Sequence, residues 1–299
     1  MTPSPETVEP GFPGTTMGNG TAVLVTGCSS GIGRQIALAL SNHGFLVFAT
    51  VRREAAAEEL RGLQIPTLVP VCPLDLARLD HVSNVAAFVS RELDRRGLKG
   101  LYGLVNNAGG GTPAPIEMMK LEEFRTELEA RVLGSVAMVQ AFLPLLRRGG
   151  GRILWIMTPA TIPTPYVASI HACDFAVNCI VRTLRIETKR WHVPNIMIKC
   201  GGVKTPAGLR TTSDVEVLLK TGPAEKLPLY EGGLRAWAAA MEKFDEKRTD
   251  PDAVARIALE ALSARRPRMN YSVGYMAKAA ALLEAMPHSV TDWILTKRF

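Results

Sequence analysis

Cysteine is scarce: five in 299 residues, at positions 28, 72, 173, 179 and 200, with no CxxC pair and no His/Cys spacing of a zinc site. A disulfide framework and a structural metal are therefore excluded as organising features, and a reducing compartment, hence a cytoplasmic protein, is expected. Long hydrophobic runs are missing too. No stretch reaches the roughly 18 continuous apolar residues of a spanning helix, so no transmembrane segment is expected. No basic start followed by an apolar run opens the chain, so a secretory signal is not expected. Aromatics are only 6 %, and none interleaves with a basic stretch. The basic residues fall in scattered pairs, among them Arg52-Arg53, Arg95-Arg96, Arg147-Arg148 and Arg265-Arg266. The net charge of +7 is thus a dispersed surplus, and nucleic acid is not an expected partner. With 47 % hydrophobic and 21 % charged residues, disorder of the whole chain is excluded.

The chain alternates short apolar, β-branched runs with amphipathic stretches. Strands are predicted at 22–26, 46–51, 67–71, 103–105, 152–157, 195–199 and 269–273. Helices are predicted at 31–42, 55–60 and 81–96, with two long ones at 121–146 and 166–190. This alternation predicts an α/β fold, a Rossmann-like doubly wound parallel sheet in a single domain. Residues 1–20, rich in Pro, Gly and Thr, are expected to be a disordered leader, and 21–276 the domain. Within it, 206–248 has a loosened, Gly/Pro-punctuated pattern and is expected to be a lid insertion. Residues 277–299 are expected to form one amphipathic helical tail.

Between the first strand and first helix stands Thr26-Gly27-Cys28-Ser29-Ser30-Gly31-Ile32-Gly33. Glycines at such a turn let the backbone approach a pyrophosphate, and the helix N-terminus supplies amides and a positive dipole end. The second strand ends Thr50-Val51-Arg52-Arg53 with no acidic residue. An acid there would bind a ribose 2′-hydroxyl and repel a 2′-phosphate, whereas Arg52 offers a bidentate phosphate partner. NADP(H) is therefore expected over NAD(H).

The TGxxxGIG spacing resembles the short-chain dehydrogenase/reductase family over roughly residues 20–275. Asn106-Asn107-Ala108-Gly109 is similar to the family's NNAG. Leu74-Asp75-Leu76 follows the third strand, where the family's Asp contacts adenine. Cys200-Gly-Gly-Val203-Lys-Thr205 resembles PGxVxT with Cys for Pro. The resemblance implies a cofactor site of Gly27, Ser29, Ser30, Gly31, Ile32, Gly33, Arg52, Asp75, Leu76, Asn107, Val203 and Thr205. Phe48–Arg52 and the segments at 271–275 and 292–295 resemble the hydroxysteroid and retinol dehydrogenase branches, which implies a bulky apolar small-molecule substrate. A homo-oligomer is implied as well.

The resemblance also implies a catalytic Asn, Ser, Tyr and Lys, and these are replaced. Phe175-Ala-Val177 and Leu184-Arg-Ile-Glu187 set the register, which puts Ile170 at the Tyr and Asp174 at the Lys. Arg131 takes the Asn position, and Met157 or Thr158 the Ser. Four residues after the five tyrosines stand Asn106, Ile170, Leu234, Tyr275 and Ala279, so no Tyr-x-x-x-Lys exists. Arg131, Thr158, Tyr166 and Asp174 remain as catalytic candidates. Arg131 and Asp174 are expected to form an ion pair, since one buried charge alone costs several kcal/mol. Tyr166, Ile170 and Asp174, four apart, are expected to share a helix face, which would make Tyr166 a displaced acid or an entrance residue. The expected function is an NADP(H)-dependent oxidoreductase with a non-standard active site, in secondary metabolism. A non-redox isomerase or cyclase, or a cofactor-binding pseudoenzyme acting as partner or sensor, is the alternative.

Overall fold

A computed structural model describes residues 20–107, 109–159 and 163–298. All but the last residue of the expected leader lies outside them.

The elements follow one another as β1 (Ala22–Val25), α1 (Gly31–Asn42), β2 (Leu46–Thr50), α2 (Glu54–Arg61), β3 (Leu68–Val71), α3 (Leu79–Arg95) and β4 (Gly103–Asn106). Then come α4 (Leu121–Leu128), α5 (Gly134–Gly149), β5 (Arg152–Met157), α6 (Ala168–Glu187) and β6 (Asn195–Cys200). The chain closes with α7 (Pro206–Leu209), α8 (Thr211–Thr221), α9 (Leu227–Asp245), α10 (Asp252–Ser263), β7 (Asn270–Val273), α11 (Ala277–Leu283) and α12 (His288–Arg298). The seven strands form one parallel sheet in the order β3-β2-β1-β4-β5-β6-β7. The order reverses between β1 and β4, and a crevice opens at the carboxyl ends of strands at such a switch point.

The strands read as continuous apolar runs because both faces are covered. Leu24, Phe48, Leu104 and Trp155 pack with residues of α3, α5 and α6. Their neighbours in sequence, among them Val25, Val47, Val105 and Leu154, pack with α1, α2 and α10 on the opposite face. In-register pairs such as Val25 with Ala49 and Val105 align the strand ends, so the loops after β1, β2 and β4 emerge along one edge.

Three expectations need correction. The long helix predicted at 121–146 runs on to Gly149 and is interrupted by a π-helical turn, Glu129–Leu133, that carries Arg131. Its second part packs tightly: a methyl group on Gly134 would lie 2.5 Å from Leu76 O. The helix predicted from Tyr166 starts only at Ala168, because Pro165 and a left-handed Tyr166 (φ 67°) precede it. The expected single helical tail is two helices, α11 and α12, separated at Pro287. The 206–248 insertion is largely helical. Val215 of α8 and Leu234, Trp237 and Ala238 of α9 bury one another in a small core of their own.

Candidate active site

The Gly-rich loop and its surroundings form one wall of a cavity of about 850 Å³. Gly27 and Gly31 take positive φ angles of 72° and 58°, which a side chain rarely tolerates. Gly33 is required for a different reason. A methyl group there would sit 2.3 Å from Gly27 O and 2.4 Å from Asn107 Nδ2. Asn107, just after β4, ties the loop down: its Nδ2 donates to Thr26 O at 2.9 Å and its backbone N–H donates to Thr26 Oγ1 at 2.9 Å. Ser30 precedes α1 without a side-chain cap, so the amides of the first turn are left for an anion.

The other sequence-predicted cofactor residues converge here. Ser29, Ser30, Ile32, Arg52, Asp75 and Leu76 line the cavity, as do Asn107, Val203 and Thr205. Gly33 does not line it; it sits beneath the loop. Asp75 accepts from Ala77 N at 3.1 Å and its own N–H donates to His81 Nδ1 at 3.2 Å, which orders the loop after β3. Thr205 caps α7 by accepting from Gly208 N at 3.0 Å, and its Cγ2 would lie 3.3 Å from a methyl group on Gly31. Arg52 is exposed and forms no ion pair among the described residues. Ala108, within the NNAG-like stretch, lies outside the described residues. The donor set fits a dinucleotide phosphate: two open glycine turns, an uncapped helix N-terminus and a free guanidinium.

The chemical half of the cavity is built on α4 to α6. Arg131 Nη2 donates to Asp174 Oδ1, so the two residues stand in contact as one ion pair. The other carboxylate oxygen of Asp174 accepts from Thr158 N at 2.8 Å and from Thr158 Oγ1 at 2.7 Å. Asp174 is 3 % exposed and does not line the cavity, whereas Arg131 and Thr158 do. Burial alone would depress the Arg131 guanidinium, but the charge and hydrogen bond of Asp174 raise it above its usual value. Ile170 lines the cavity beside them.

Tyr166 is not part of this group. It precedes α6, stacks edge-on against Trp237 with centroids 5.7 Å apart, and faces Gly233, where a methyl group would lie 2.4 Å from its Oη. The expected shared face with Ile170 and Asp174 is thus corrected, because the helix that would create it has not yet begun. Tyr166 joins the insertion to the body and is absent from the cavity wall.

The sequence reading missed Glu127. It lies one helical turn before Arg131, is 9 % exposed, and lines the cavity with no hydrogen-bond partner for Oε1. Its i, i+4 spacing from Arg131 was the available signal. It also missed the apolar lining given by the 206–248 stretch, where Trp237, Met241 and Phe244 join Met119 and Phe124 on the cavity wall.

Residues 21–216 match the family model of the short chain dehydrogenases. Human retinol dehydrogenase 16 is 31 % identical over 91 % of this chain and 87 % of its own length. The 3-amino-tetrahydro-pyrrolizinone reductase of Xenorhabdus hominickii is 30 % identical over 86 % of this chain and 88 % of its own. Among solved structures, the Pseudomonas aeruginosa RhlG/NADP complex is 25 % identical with a TM-score of 0.59, covering 68 % of this chain and 81 % of that one. These findings overturn the cytoplasmic expectation. Retinol dehydrogenases stand among the relatives, and the 29-residue stretch Leu121–Gly149 is long and apolar enough to cross a membrane by length and composition. The stretch passes without an unbroken apolar run because a window average tolerates single polar residues such as Ser135 and Gln140, and it also supplies core residues such as Met138 and Phe142. Matched by the family model across residues 21–216, about two-thirds of its length, and carrying the glycine turn, the anchored Asn107 and the seven-stranded parallel sheet, the chain belongs to the short-chain dehydrogenase/reductase family.

Proposed function

We propose that the protein is an NADP(H)-dependent oxidoreductase acting on a bulky apolar carbonyl or alcohol through a non-standard active site. The observation that carries this reading is the single cavity of about 850 Å³ that joins both requirements. Its wall includes the glycine loop and Arg52, with no acid at the close of β2, and the apolar side chains of Met119, Phe124, Trp237, Met241 and Phe244. Gly27, Ser29 to Ile32 and the amides of α1 would hold the pyrophosphate, Arg52 the 2′-phosphate, Asp75 and Leu76 the adenine side, and Val203 and Thr205 the nicotinamide side. A bound reduced nicotinamide would supply a hydride. Kinship with a retinol dehydrogenase and a pyrrolizinone reductase supports an apolar alcohol or carbonyl partner. A homo-oligomer belongs to the same reading and is supported by Leu133 and Phe175, large apolar side chains 60 % and 52 % exposed next to and on the long helices.

A non-redox reading that uses Asp174 for proton transfer is less well supported. That carboxylate accepts from Arg131 and twice from Thr158 and does not reach the cavity. The test is a titration with NADPH and NADH followed by nicotinamide fluorescence. NADPH is expected to bind more tightly, and Arg52→Asp to weaken NADPH by about tenfold or more, as loss of a charged hydrogen bond requires. Binding of neither nucleotide would overturn the proposal.

A further inference from the structure

Carbonyl reduction needs a proton at the carbonyl oxygen as well as a hydride at carbon, and the residues replaced in this chain leave its source open. The titratable groups on the cavity wall narrow the choice. Lys120 and Glu123 are exposed at the mouth, and Arg131 remains charged. Burial pushes the Cys200 thiol up to about 12. His171 already has a partner. Thr158 is on the wall, but its hydroxyl proton is committed to Asp174. Tyr166 is packed against α9.

Glu127 remains. It forms no ion pair among the described residues, and Oε1 is without a hydrogen bond. A methyl group on Gly111 would lie 2.1 Å from this Oε1 and 2.4 Å from Cγ1 of Ile170. The free carboxyl oxygen and the Ile170 side chain therefore lie side by side behind one glycine. Gly111, Glu127 and Ile170 all face the cavity.

We infer that Glu127 is the general acid of this site, a carboxylic acid that gives its proton to the oxygen of a bound carbonyl. The inference rests on the oxidoreductase reading above. The Glu127 O–H bond breaks and an O–H bond forms on the substrate, while the carbonyl carbon accepts the hydride that NADPH would supply. The carbonyl is reduced to an alcohol and the nicotinamide is oxidised. The carboxylate left behind faces the Arg131 guanidinium and is reprotonated from water at the open mouth. In the alcohol-oxidising direction the same carboxylate takes the proton.

The surroundings shift the Glu127 carboxyl toward its protonated form. Burial raises the Glu127 carboxyl above its usual range, and the charge of Asp174 adds to the rise. The Ser169 hydroxyl and the Arg131 charge pull the other way without reversing it. Cys173, also on α6, holds its proton up to about 11. The loop carrying Gly109, Gly110 and Gly111 brings no charge.

The test has two arms, with NADPH affinity measured first on each variant. Infrared difference spectra of wild type against Glu127→Gln, recorded without cofactor across a pH series, are expected to show the Glu127 carboxylic-acid stretch titrating with a midpoint above the usual carboxylate range. A midpoint within the usual range would overturn the inference whatever the substrate. In the second arm, all-trans-retinal and a 17-ketosteroid serve as carbonyl probes with NADPH. Glu127→Gln is expected to lower kcat about 100-fold or more with NADPH affinity unchanged, the share typical of a positioned general acid. Wild-type kcat for reduction is expected to fall as pH rises through the infrared midpoint. An undiminished kcat in Glu127→Gln would overturn the inference while leaving the oxidoreductase reading intact. Failure of wild type to bind NADPH would strike that reading instead.

Discussion

Replacing Asp174 by Leu is the perturbation whose cost can be worked most fully from the geometry. Asp174 accepts from Arg131, from Thr158 N and from Thr158 Oγ1, at 3 % exposure. Removing one partner of a buried pair costs about 3–5 kcal/mol, because the other charge is left uncompensated. The Thr158 N–H loses its acceptor too, and an unsatisfied buried donor costs about 1–3 kcal/mol. The single variant is thus expected to lose about 4 kcal/mol or more, a large part of the 5–15 kcal/mol typical of a domain. Arg131→Met alone is expected to cost less, because Asp174 keeps both Thr158 donors. The double variant Arg131→Met/Asp174→Leu removes both charges and substitutes apolar volume, which is often near neutral for a buried pair. Urea unfolding followed by circular dichroism on all four proteins closes the cycle. A coupling of about 2 kcal/mol or more is expected, nearly unchanged by salt because a buried pair is poorly screened. Additivity within about 0.5 kcal/mol would refute the reasoning.

Two further outcomes follow from the geometry. Gly33→Ala forces a methyl group against Gly27 O and Asn107 Nδ2, so the loop must shift. About 1–3 kcal/mol of stability should be lost in thermal melts, with NADPH affinity falling at least tenfold. Cysteine labelling with iodoacetamide at pH 8 should be selective. Burial raises the thiols of Cys28, Cys173 and Cys200, the last two to about 11 and about 12, whereas Cys179 is exposed. Mass spectrometry should find Cys179 modified and these three protected, because the thiolate is the reactive form; rapid labelling of Cys173 would contradict the packing around Arg131.

Much of the fold was legible because local signals agreed with one another. Every predicted strand is present within a residue or two at either end, since buried parallel strands write themselves as apolar runs between turns. That most of the candidate cofactor residues line one cavity has a related reason. They sit on backbone turns next to strand ends, and strand ends are what the pattern locates. What misled was helix termination and insertion. Tyr166 looked like part of a long helix because its spacing to Ile170 fits, but Pro165 and a left-handed backbone intervene. The 206–248 stretch looked irregular because Gly232 and Gly233 interrupt its pattern. Yet α9 runs through both, and Gly233 is the opening that receives the Tyr166 hydroxyl.

The chemical half was legible only in part, and the reason is that a site's chemistry depends on what surrounds a side chain. Arg131 and Asp174 could be paired in advance because opposite charges introduced at facing positions satisfy each other. In the sequence, only its i, i+4 spacing to Arg131 sets Glu127 apart from Glu122, Glu123 and Glu129 nearby. All four are acids within one amphipathic stretch, and three of them face solvent or the cavity mouth. Only the fold turns Glu127 inward, behind Gly111 and beside Ile170, where its carboxyl is desolvated and one oxygen is left unbound. The same packing that satisfies Asp174 completely leaves Glu127 unsatisfied. A buried polar group without a partner costs stability, and one kept on the wall of this cavity is where a functional role is to be sought.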